Sequence, residues 1–299
     1  MKLRIGHLST FYHTAIILMD SPISTHADAG WRLFGTGPAI VDALEKKELD
    51  IAYIGLPPAI IGIHRGVPIK CVAGGHVEGT VMTGFNKYKG LAETDSLEEI
   101  LNQFIGMKIG VPGKGSIHDL ILQDCLQNCG LRQHIEVINY PWADLALEDL
   151  AKHRIEAAFG TPALAVAARH YADCKILYPP SKLWPDNPSY GILVSKPFLE
   201  EHRDTVAEFL KAHAKATELL RNDPRKAAAV ISAKVGVVDQ DFVLETLSVS
   251  PKYWAQITDA YKNCTIRLML ALKKLGYIER EIYADEIFDN SLTAGMGDY

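Results

Sequence analysis

The chain has 299 residues, of which 48% are hydrophobic and 22% are charged, and this composition is typical of a globular protein with a sizeable core. Its formal net charge of -5 at pH 7 argues against a general nucleic-acid-binding protein, which normally carries a basic excess. No apolar run approaches the roughly 18 residues that a membrane span needs. The five cysteines have no regular spacing, so neither a disulfide framework nor a zinc site is expected.

Strand and helix patterns alternate through the first part of the chain. Short apolar segments predict strands, and each is followed by a segment with helical periodicity. In chain order these segments are LRIGHLS, TFYHTAIILMD, WRLFGTG, PAIVDALEKKE, LDIAYIG, PPAIIGIHRG and PIKCVAGG. This alternation predicts a parallel, doubly wound α/β sheet.

A second alternation begins near Gly90. Its first helix, SLEEILNQF, has Ser96 and Glu99 at the spacing of a capping box. The segments that follow are MKIGVPG, SIHDLILQDCLQNCG, HIEVINY, DLALEDLAKH, IEAAFGT, PALAVAARHYA and CKILYPP. Because the pattern starts again, we expect a second sheet that is separate from the first.

The chain is expected to cross between the two sheets twice. A proline-rich loop at 179–191 predicts the second crossing, and ILVSKPFLE is typical of a strand that returns to the first sheet. Beyond it, helices are predicted over 198–221, 223–235, 239–248 and 254–275. We therefore predict one lobe from residues 1–88 and 188–299, which includes the C-terminal helices, and a second lobe from residues 89–187.

Candidate ligand contacts follow from this organisation. Open α/β sheets bind their ligands beyond the carboxyl ends of the strands, so the residues that directly follow each predicted strand are expected to face a cleft between the lobes. These are Ser9 and Thr10, residues 35–37, 55–57, 75–80 and 113–116, and Thr161.

The turn Gly113–Ser116 resembles a phosphate cradle. Its sequence is Gly-Lys-Gly-Ser, whereas a P-loop has the pattern G-x-x-x-x-G-K-[ST], so nucleotide hydrolysis is not expected. A helix N-terminus still offers free N–H groups and a partial positive charge, which suit a carboxylate, sulfonate or phosphate. In the alternative interpretation Ser116 only caps the helix, Gly115 only shapes the turn and Lys114 faces solvent.

Hydroxyl, imidazole and carboxyl groups near other strand ends are further candidates. Ser9, Thr10 and His13 lie where the first strand meets the first helix, where a hydroxyl can cap the helix or bind a ligand. His76 and Glu78 follow the fourth strand, and residues two apart in an extended segment face the same side. This pair could bind a polar ligand, act as acid and base, or make hinge hydrogen bonds. No spacing compels a metal site.

Three longer segments carry a family resemblance: DIAYIGLPPAIIGIHRGVPIKCVAGG, GMKIGVPGKGSIHDLILQDCLQNCGL and RIEAAFGTPALAVAA. The first is similar to a D-I/V-G-x-x-G-x-x-P-A-x-x-A-x-x-x-G-x-P-I/L-K segment, the second to a segment that opens a second lobe, and the third to a D/E-A-x-x-x-x-x-P unit. The chain thus resembles ABC-importer substrate-binding proteins of the nitrate/sulfonate/taurine and thiamine-precursor (NMT1/THI5-like) family. The resemblance implies a two-lobed periplasmic-binding-protein type II fold, with a mixed, mainly parallel sheet flanked by helices in each lobe and a C-terminal helical extension.

The resemblance also implies a function. A solute-binding protein of this kind closes its lobes on a small anionic or heteroaromatic molecule, such as a sulfonate, carboxylate, nitrate or pyrimidine, and its partner is an ABC permease. We expect no catalytic residue, metal or cofactor, and no nucleic acid or membrane span. The candidate ligand contacts are Ser9, Thr10, His13, Gly37, Gly55, His76, Glu78, Gly115, Ser116 and Thr161.

Cytoplasmic enzymes that share this fold give the alternative. An enzyme of the thiamine-pyrimidine or menaquinone-pathway type would use His76 and Glu78 as acid and base. The CCCFC motif of the fungal pyrimidine synthases does not occur in the sequence, which weighs against that particular enzyme. No signal peptide precedes the first strand, so a cytoplasmic location is expected if Met1 is the native start and an extracytoplasmic one if the sequence is trimmed.

Overall fold

The structure, a computed structural model, describes residues 2–19, 28–94 and 96–293. Within these ranges the chain forms two five-stranded sheets flanked by helices. The strands are β1 (Lys2–Leu8), β2 (Asp28–Phe34), β3 (Ile51–Ile54), β4 (Ile69–Ala73), β5 (Val81–Phe85), β6 (Lys108–Pro112), β7 (Glu136–Tyr140), β8 (Ala157–Gly160), β9 (Cys174–Tyr178) and β10 (Gly191–Ser195). The helices are α1 (Thr14–Leu18), α2 (Gly37–Glu45), α3 (Leu56–His64), α4 (Leu97–Asn102), α5 (Ile117–Asn128), α6 (Ala143–Ala151), α7 (Pro162–Tyr171), α8 (Pro180–Leu183), α9 (Lys196–Glu201), α10 (Arg203–Asn222), α11 (Pro224–Val235), α12 (Gln240–Val249), α13 (Asp259–Lys274) and α14 (Ala284–Ile287).

The first sheet has the strand order β2-β1-β3-β10-β4. Its first three strands are parallel, whereas β10 runs antiparallel to both β3 and β4. The central strand β3 has the sequence IAYI and is buried at every position. A strand that is covered by helices on both faces needs a continuous apolar run, and this explains why β3 does not alternate polar and apolar residues.

The second sheet repeats this arrangement with the order β7-β6-β8-β5-β9. Strand β6 is parallel to β7 and β8, and β5 runs antiparallel to β8 and β9. Each sheet therefore contains one antiparallel strand in the fourth position, and in each case that strand directly follows a crossing from the other sheet. Both predicted sheets, and the return of the chain to the first sheet through β10, are confirmed.

The first crossing lies earlier in the chain than the predicted lobe boundary at 88/89. Strand β5 (VMTGF) pairs with β8 and β9 in the second sheet, although the boundary placed it in the first lobe. The crossing is residues 74–80, between β4 and β5. The difference arises because β5 is a five-residue buried strand that directly follows a loop-like segment, and no helix separates it from β4 to signal a new unit.

The C-terminal helices contact both lobes. The helix predicted over 198–221 is two helices, α9 and α10, because the backbone of His202 leaves the helical conformation between them. Helix α13 packs on α3 of the first lobe and on α5 of the second. The segment at its end ties it to the second lobe, where Lys274 Nζ donates to Asn128 Oδ1 at 2.7 Å and Tyr277 Oη donates to Asp119 Oδ2 at 2.7 Å. None of the described helices is both long and apolar enough to cross a bilayer.

Candidate functional site

A cavity between the two lobes, here the inner cavity, lies at the carboxyl ends of strands from both sheets. The space open to the centres of water molecules is about 60 Å³, which is room for several waters or for a small ligand. Both lobes contribute to its wall, and so does Ser189 of the second crossing. The wall residues are Leu8, Ser9, Thr10, Tyr12, His13, Gly35, Thr36, Gly37, Gly55, Pro58, Pro112, Ser116, Ile117, His118, Ala143, Thr161 and Ser189.

Seven of the ten candidate contacts lie together in this wall. They come from five separate segments of the chain, which the two sheets bring to one place. They are Ser9, Thr10, His13, Gly37, Gly55, Ser116 and Thr161. The wall does not include Gly115, His76 or Glu78, and each of these three has other partners.

Five helices of nine or more residues begin at the inner cavity: α2 and α3 from the first lobe, and α5, α6 and α7 from the second. Convergent helix N-termini direct partial positive charge into the cavity and favour a negative or electron-rich ligand. Prolines occupy the first turns of α2, α3 and α7 and have no N–H to donate. Side-chain hydroxyl and imidazole groups are therefore important hydrogen-bonding groups of this wall.

The Gly113–Ser116 turn is held mainly by its own helix. Ser116 caps α5, because its Oγ accepts from the Asp119 backbone N–H at 3.2 Å and donates to the Pro112 carbonyl at 2.6 Å. The Gly115 backbone N–H donates to the Asp119 carboxylate at 2.7 Å, so it is not free for a ligand. Gly113 and Gly115 have φ values of +52° and +79°, which glycine adopts without strain. The side chain of Lys114 is exposed.

His13 is the most deeply buried imidazole of the wall. Only 2% of it is exposed, its Nδ1 is 2.7 Å from Thr10 Oγ1, and its Nε2 has no hydrogen-bond partner among the described residues. Burial and four neighbouring histidines lower the pKa of His13 well below its usual value, so the ring is neutral at pH 7. An unpartnered buried ring nitrogen costs free energy, and a polar ligand atom would remove that cost.

His118 is a second imidazole in the wall, supplied by the second lobe. It lies in the first turn of α5, and its Nδ1 is 2.9 Å from Thr80 Oγ1. Burial lowers its pKa to about 4, so it too is neutral at pH 7. His13 and His118 therefore share one arrangement, in which a threonine hydroxyl contacts Nδ1 of an uncharged ring.

His76 and Glu78 do not form the predicted pair. His76 Nε2 donates to the Ser250 carbonyl at 2.7 Å. Glu78 Oε1 accepts from Lys252 Nζ at 2.7 Å and from the Asp186 backbone N–H at 3.0 Å. Glu78 has a φ of +61°, so the segment is not extended and the argument from alternating side chains does not apply. Three interpretations were open for these two residues: contact with a polar ligand, an acid–base pair, or hinge hydrogen bonds. Their observed hydrogen bonds match the hinge interpretation.

Two histidines near the crossings should make stability depend on pH. His76 and His213 are fully buried, and burial lowers the pKa of each to about 4. Between pH 6.5 and 4 the unfolded chain binds protons that the folded chain does not, so stability is complete above about pH 6.5 and falls as the pH drops. We expect a loss of about 2 kcal/mol for each residue at pH 5, measured by urea unfolding at pH 5, 6 and 7.

A substitution tests the origin of this loss. In His213→Gln the free energy of unfolding should fall less between pH 7 and pH 5 than in the wild type, and the difference should be the contribution of one histidine. His134→Gln changes an exposed residue and should show the same fall as the wild type. Equal pH dependence of the free energy of unfolding in the wild type and in His213→Gln would show that these buried rings are not its cause.

The sequence reasoning missed eight wall residues: Leu8, Tyr12, Pro58, Pro112, Ile117, His118, Ala143 and Ser189. His118 is two positions past the N-cap of a helix that was already expected to face the cleft, and this spacing could have identified it. Ser189 lies on the second crossing, and nothing in its surrounding sequence distinguishes it. Across residues 2–19, 28–94 and 96–293, no group of three or more His, Cys, Asp or Glu side chains is placed to hold a metal ion.

The two sheets, the two crossings and a cavity at convergent strand ends define a class: the two-lobed periplasmic-binding-protein type II fold. Residues 2–235 match the NMT1-like family, so the chain belongs to this family. A search of curated proteins finds no match.

Several solved structures are similar to the chain. The ligand-binding component of an ABC-type import system from Staphylococcus aureus, solved with zinc bound, has a TM-score of 0.83 at 18% identity, and the match covers 99% of each chain. The alkanesulfonate-binding protein SsuA from Xanthomonas axonopodis pv. citri, bound to MOPS, has a TM-score of 0.77 at 15% identity over 96% of this chain and 98% of its own. The periplasmic nitrate-binding protein NrtA from Synechocystis PCC 6803 has a TM-score of 0.79 at 13% identity over 97% and 86%. At these identities the likeness establishes the fold.

Proposed function

We propose that this protein is a solute-binding protein that closes two lobes on a small anionic or heteroaromatic molecule and delivers it to an ABC permease. The observation that carries the proposal is the inner cavity, where helix N-termini of both lobes meet around uncharged polar side chains. The similarity in fold between this chain and import-system components that bind alkanesulfonate or nitrate supports the same conclusion.

Close contacts across the cleft support a mechanism in which the lobes close on the ligand. A Cβ atom added to Gly35 would lie 2.5 Å from the Pro141 carbonyl oxygen and 2.9 Å from the Trp142 ring, and one added to Gly113 would lie 2.7 Å from Thr36 Cγ2. In each pair the two residues belong to different lobes. Glycine lets the backbones approach this closely, and a ligand that binds the closed arrangement better shifts the equilibrium toward it.

We propose that the lobes are divided at residues 74–80 and again at residues 187–190. Each of these segments connects a strand of one sheet to an antiparallel strand of the other. Val77 and Pro188 form a bridge between the two segments, and the Ser189 backbone N–H donates to the His76 carbonyl at 2.9 Å. Two crossings that are bonded side by side are a suitable hinge for rotation of one lobe against the other.

The wall of the inner cavity indicates the charge of the ligand. It contains no lysine, arginine, aspartate or glutamate among the described residues, and its two histidines are neutral at pH 7. A dianion such as inorganic phosphate would lack a counter-charge, and a buried uncompensated charge is costly. The helix N-termini suit a single negative charge or an uncharged ring with hydrogen-bond acceptors.

The enzyme alternative receives no support from a specific observation. It depended on His76 and Glu78 as acid and base, and these side chains instead contact the Ser250 carbonyl and Lys252. Neither residue belongs to the wall of the inner cavity.

A ligand screen tests the proposed function. Thermal shift followed by titration calorimetry should identify binding among nitrate, sulfonates, monocarboxylates and pyrimidines, with inorganic phosphate as the dianionic comparison. We expect His118→Ala to weaken binding of the best ligand by roughly five- to tenfold, since one hydrogen bond contributes about 1 kcal/mol.

The matched control is His134→Ala, which removes an exposed histidine from the same lobe and should leave affinity unchanged. Failure of every compound class to raise the melting temperature would contradict the proposed function. Equal affinities for wild type and His118→Ala would remove His118 from the ligand contacts.

A further inference from the structure

Thr14 and His213, which lie outside the wall of the inner cavity, form a complete threonine–imidazole arrangement. His213 Nε2 donates to the Gly74 carbonyl at 3.0 Å, and Nδ1 of the same ring is 2.8 Å from Thr14 Oγ1. Burial lowers the pKa of His213 to about 4, so the ring is uncharged at pH 7 and carries hydrogen on one nitrogen only. That nitrogen is Nε2, and Thr14 therefore donates to the bare Nδ1.

His118 has two parts of this arrangement and lacks the third. Its Nδ1 is 2.9 Å from Thr80 Oγ1, and this is the ring's sole hydrogen bond to the residues that the structure describes. Thr80 is fully buried, with 0% exposure, and within the same residue ranges its hydroxyl has no second partner. If Nδ1 carried the ring hydrogen, the hydroxyl hydrogen would have no acceptor, which costs free energy in the interior. Thr80 therefore donates to Nδ1, and Nε2 carries the hydrogen.

The positions of these two side chains leave Nε2 available to a solute. His118 belongs to the wall of the inner cavity and keeps some exposed surface, whereas Thr80 lies outside that wall. The ring nitrogen that contacts Thr80 is Nδ1, so Nε2 is the one left for the cavity. Thr80 lies at the end of the first crossing, directly before β5, and can influence a solute only through the ring.

We propose that Thr80 is a positioning residue: its hydroxyl holds His118 with Nε2 as an N–H donor, so that the solute atom facing this nitrogen is a hydrogen-bond acceptor. This inference rests on the proposed function. The acceptor atom of the solute takes the place that the Gly74 carbonyl oxygen occupies on His213. A group that offers only donors, such as an ammonium group, has no partner at this nitrogen.

Thr10 and His13 repeat the arrangement in the first lobe. Nδ1 of His13 is 2.7 Å from Thr10 Oγ1, and its buried Nε2 has no partner among the described residues. Thr10 itself belongs to the wall of the inner cavity and is partly exposed, so its substitution would combine a direct contact with a positioning effect. Thr80 separates the two, and the experiment is designed on Thr80.

Thr80→Val in the full-length protein removes the hydroxyl and keeps a β-branched side chain. The probes are nitrate, methanesulfonate, acetate and uracil, titrated by calorimetry alongside the wider screen. For the tightest binder we expect affinity to fall about three- to tenfold, the effect of about one hydrogen bond, and to stay within about twofold of the wild type in Thr80→Ser. Thr80→Val combined with His118→Ala should bind no more weakly than His118→Ala alone, because the hydroxyl acts only through the ring.

Thr83→Val is the matched control. Thr83 lies three residues further along in β5, is 1% exposed, and donates to the Lys175 carbonyl at 3.0 Å. It lies outside the wall of the inner cavity. This substitution also removes a buried threonine hydrogen bond, and it should leave affinity unchanged.

Nitrogen-15 NMR of the histidine rings supplies a readout that does not depend on a ligand. The His118 resonances, assigned by their loss in His118→Ala, report which ring nitrogen carries the hydrogen. We expect the hydrogen on Nε2 in the unliganded wild type and in Thr80→Ser. In Thr80→Val the Nδ1 resonance should move because Nδ1 loses its donor, whereas Thr83→Val should leave it in place.

The outcomes separate this inference from the proposed function. Hydrogen on Nδ1 in the wild type, unchanged affinity in Thr80→Val, an additive loss in the double variant, or an equal loss in Thr83→Val would each overturn the positioning role and leave the proposed function intact. If neither the four probes nor the wider screen yields a ligand, the proposed function fails and the inference fails with it.

Discussion

Replacing Gly35 by valine is expected to weaken ligand binding by roughly tenfold to hundredfold. The first side-chain atom at this position would lie 2.5 Å from the Pro141 carbonyl oxygen, and that oxygen belongs to the backbone of the opposite lobe and cannot rotate away. Overpacking of this kind costs about 1–3 kcal/mol, and each 1.4 kcal/mol changes affinity about tenfold. The cost applies to the closed arrangement alone, because Gly35 meets Pro141 and Trp142 across the cleft.

The measurement is calorimetry with the best ligand from the screen, combined with small-angle scattering to follow lobe separation. Gly35→Ala should have a smaller effect than Gly35→Val, because it adds fewer atoms at the same contact. Gly30→Ala is the control, since the atom nearest to its added Cβ is the flexible end of Lys2. Unchanged affinity in Gly35→Val would show that ligand binding does not require this contact between the lobes.

Replacing Asp119 by alanine is expected to lower the free energy of unfolding by about 3 kcal/mol. Its buried carboxylate accepts from the Gly115 backbone N–H, from Asn139 Nδ2 and from Tyr277 Oη. Hydrogen bonds to a charged group contribute about 1.5–3 kcal/mol, and donors left unsatisfied in the interior add a further penalty. One side chain therefore holds the Gly113–Ser116 turn, a strand of the second sheet and the C-terminal segment together.

Urea unfolding of the two proteins measures this loss. Asp241→Ala is the matched control, because Asp241 is likewise an acidic residue in the first turn of its helix but is exposed. It reports the helix-dipole contribution of about 0.3–1 kcal/mol without the buried hydrogen bonds. If both substitutions lowered stability equally, the buried network would contribute nothing beyond the dipole.

Much of the fold could be predicted from the sequence because its elements differ in local pattern. Buried strands such as β3 and β6 are short apolar runs that end in glycine or proline, and the helices between them begin at recognisable caps such as Ser116 and Thr161. Strand β5 was not predicted, because no helix lies between it and β4 to indicate that a new unit begins. Its membership of the second sheet depends on antiparallel pairing with β8 and β9, and those strands lie more than 70 residues away.

The candidate site was predictable to the extent that it follows from strand ends. Ser9, Gly37, Gly55 and Thr161 could be placed at the cleft because a parallel sheet gathers its carboxyl ends on one edge. The local conformation of His76 and Glu78 could not be predicted, since the positive φ of Glu78 turns the segment away from an extended conformation. Such a local conformation depends on partners that are distant in sequence, as the contacts of Glu78 with Lys252 and the Asp186 backbone illustrate.

The contacts of helix α13 on the outer surface of the molecule depend on the relative position of the two lobes. The helix rests on α3 of one lobe and on α5 of the other, and the bonds of Lys274 and Tyr277 to the second lobe hold only while that lobe keeps its present position. Rotation of the lobes must therefore rearrange the surface along this flank as well as the cleft. A partner that rests on α13 would meet a different surface when the protein is loaded than when it is unloaded, without any contact to the solute itself.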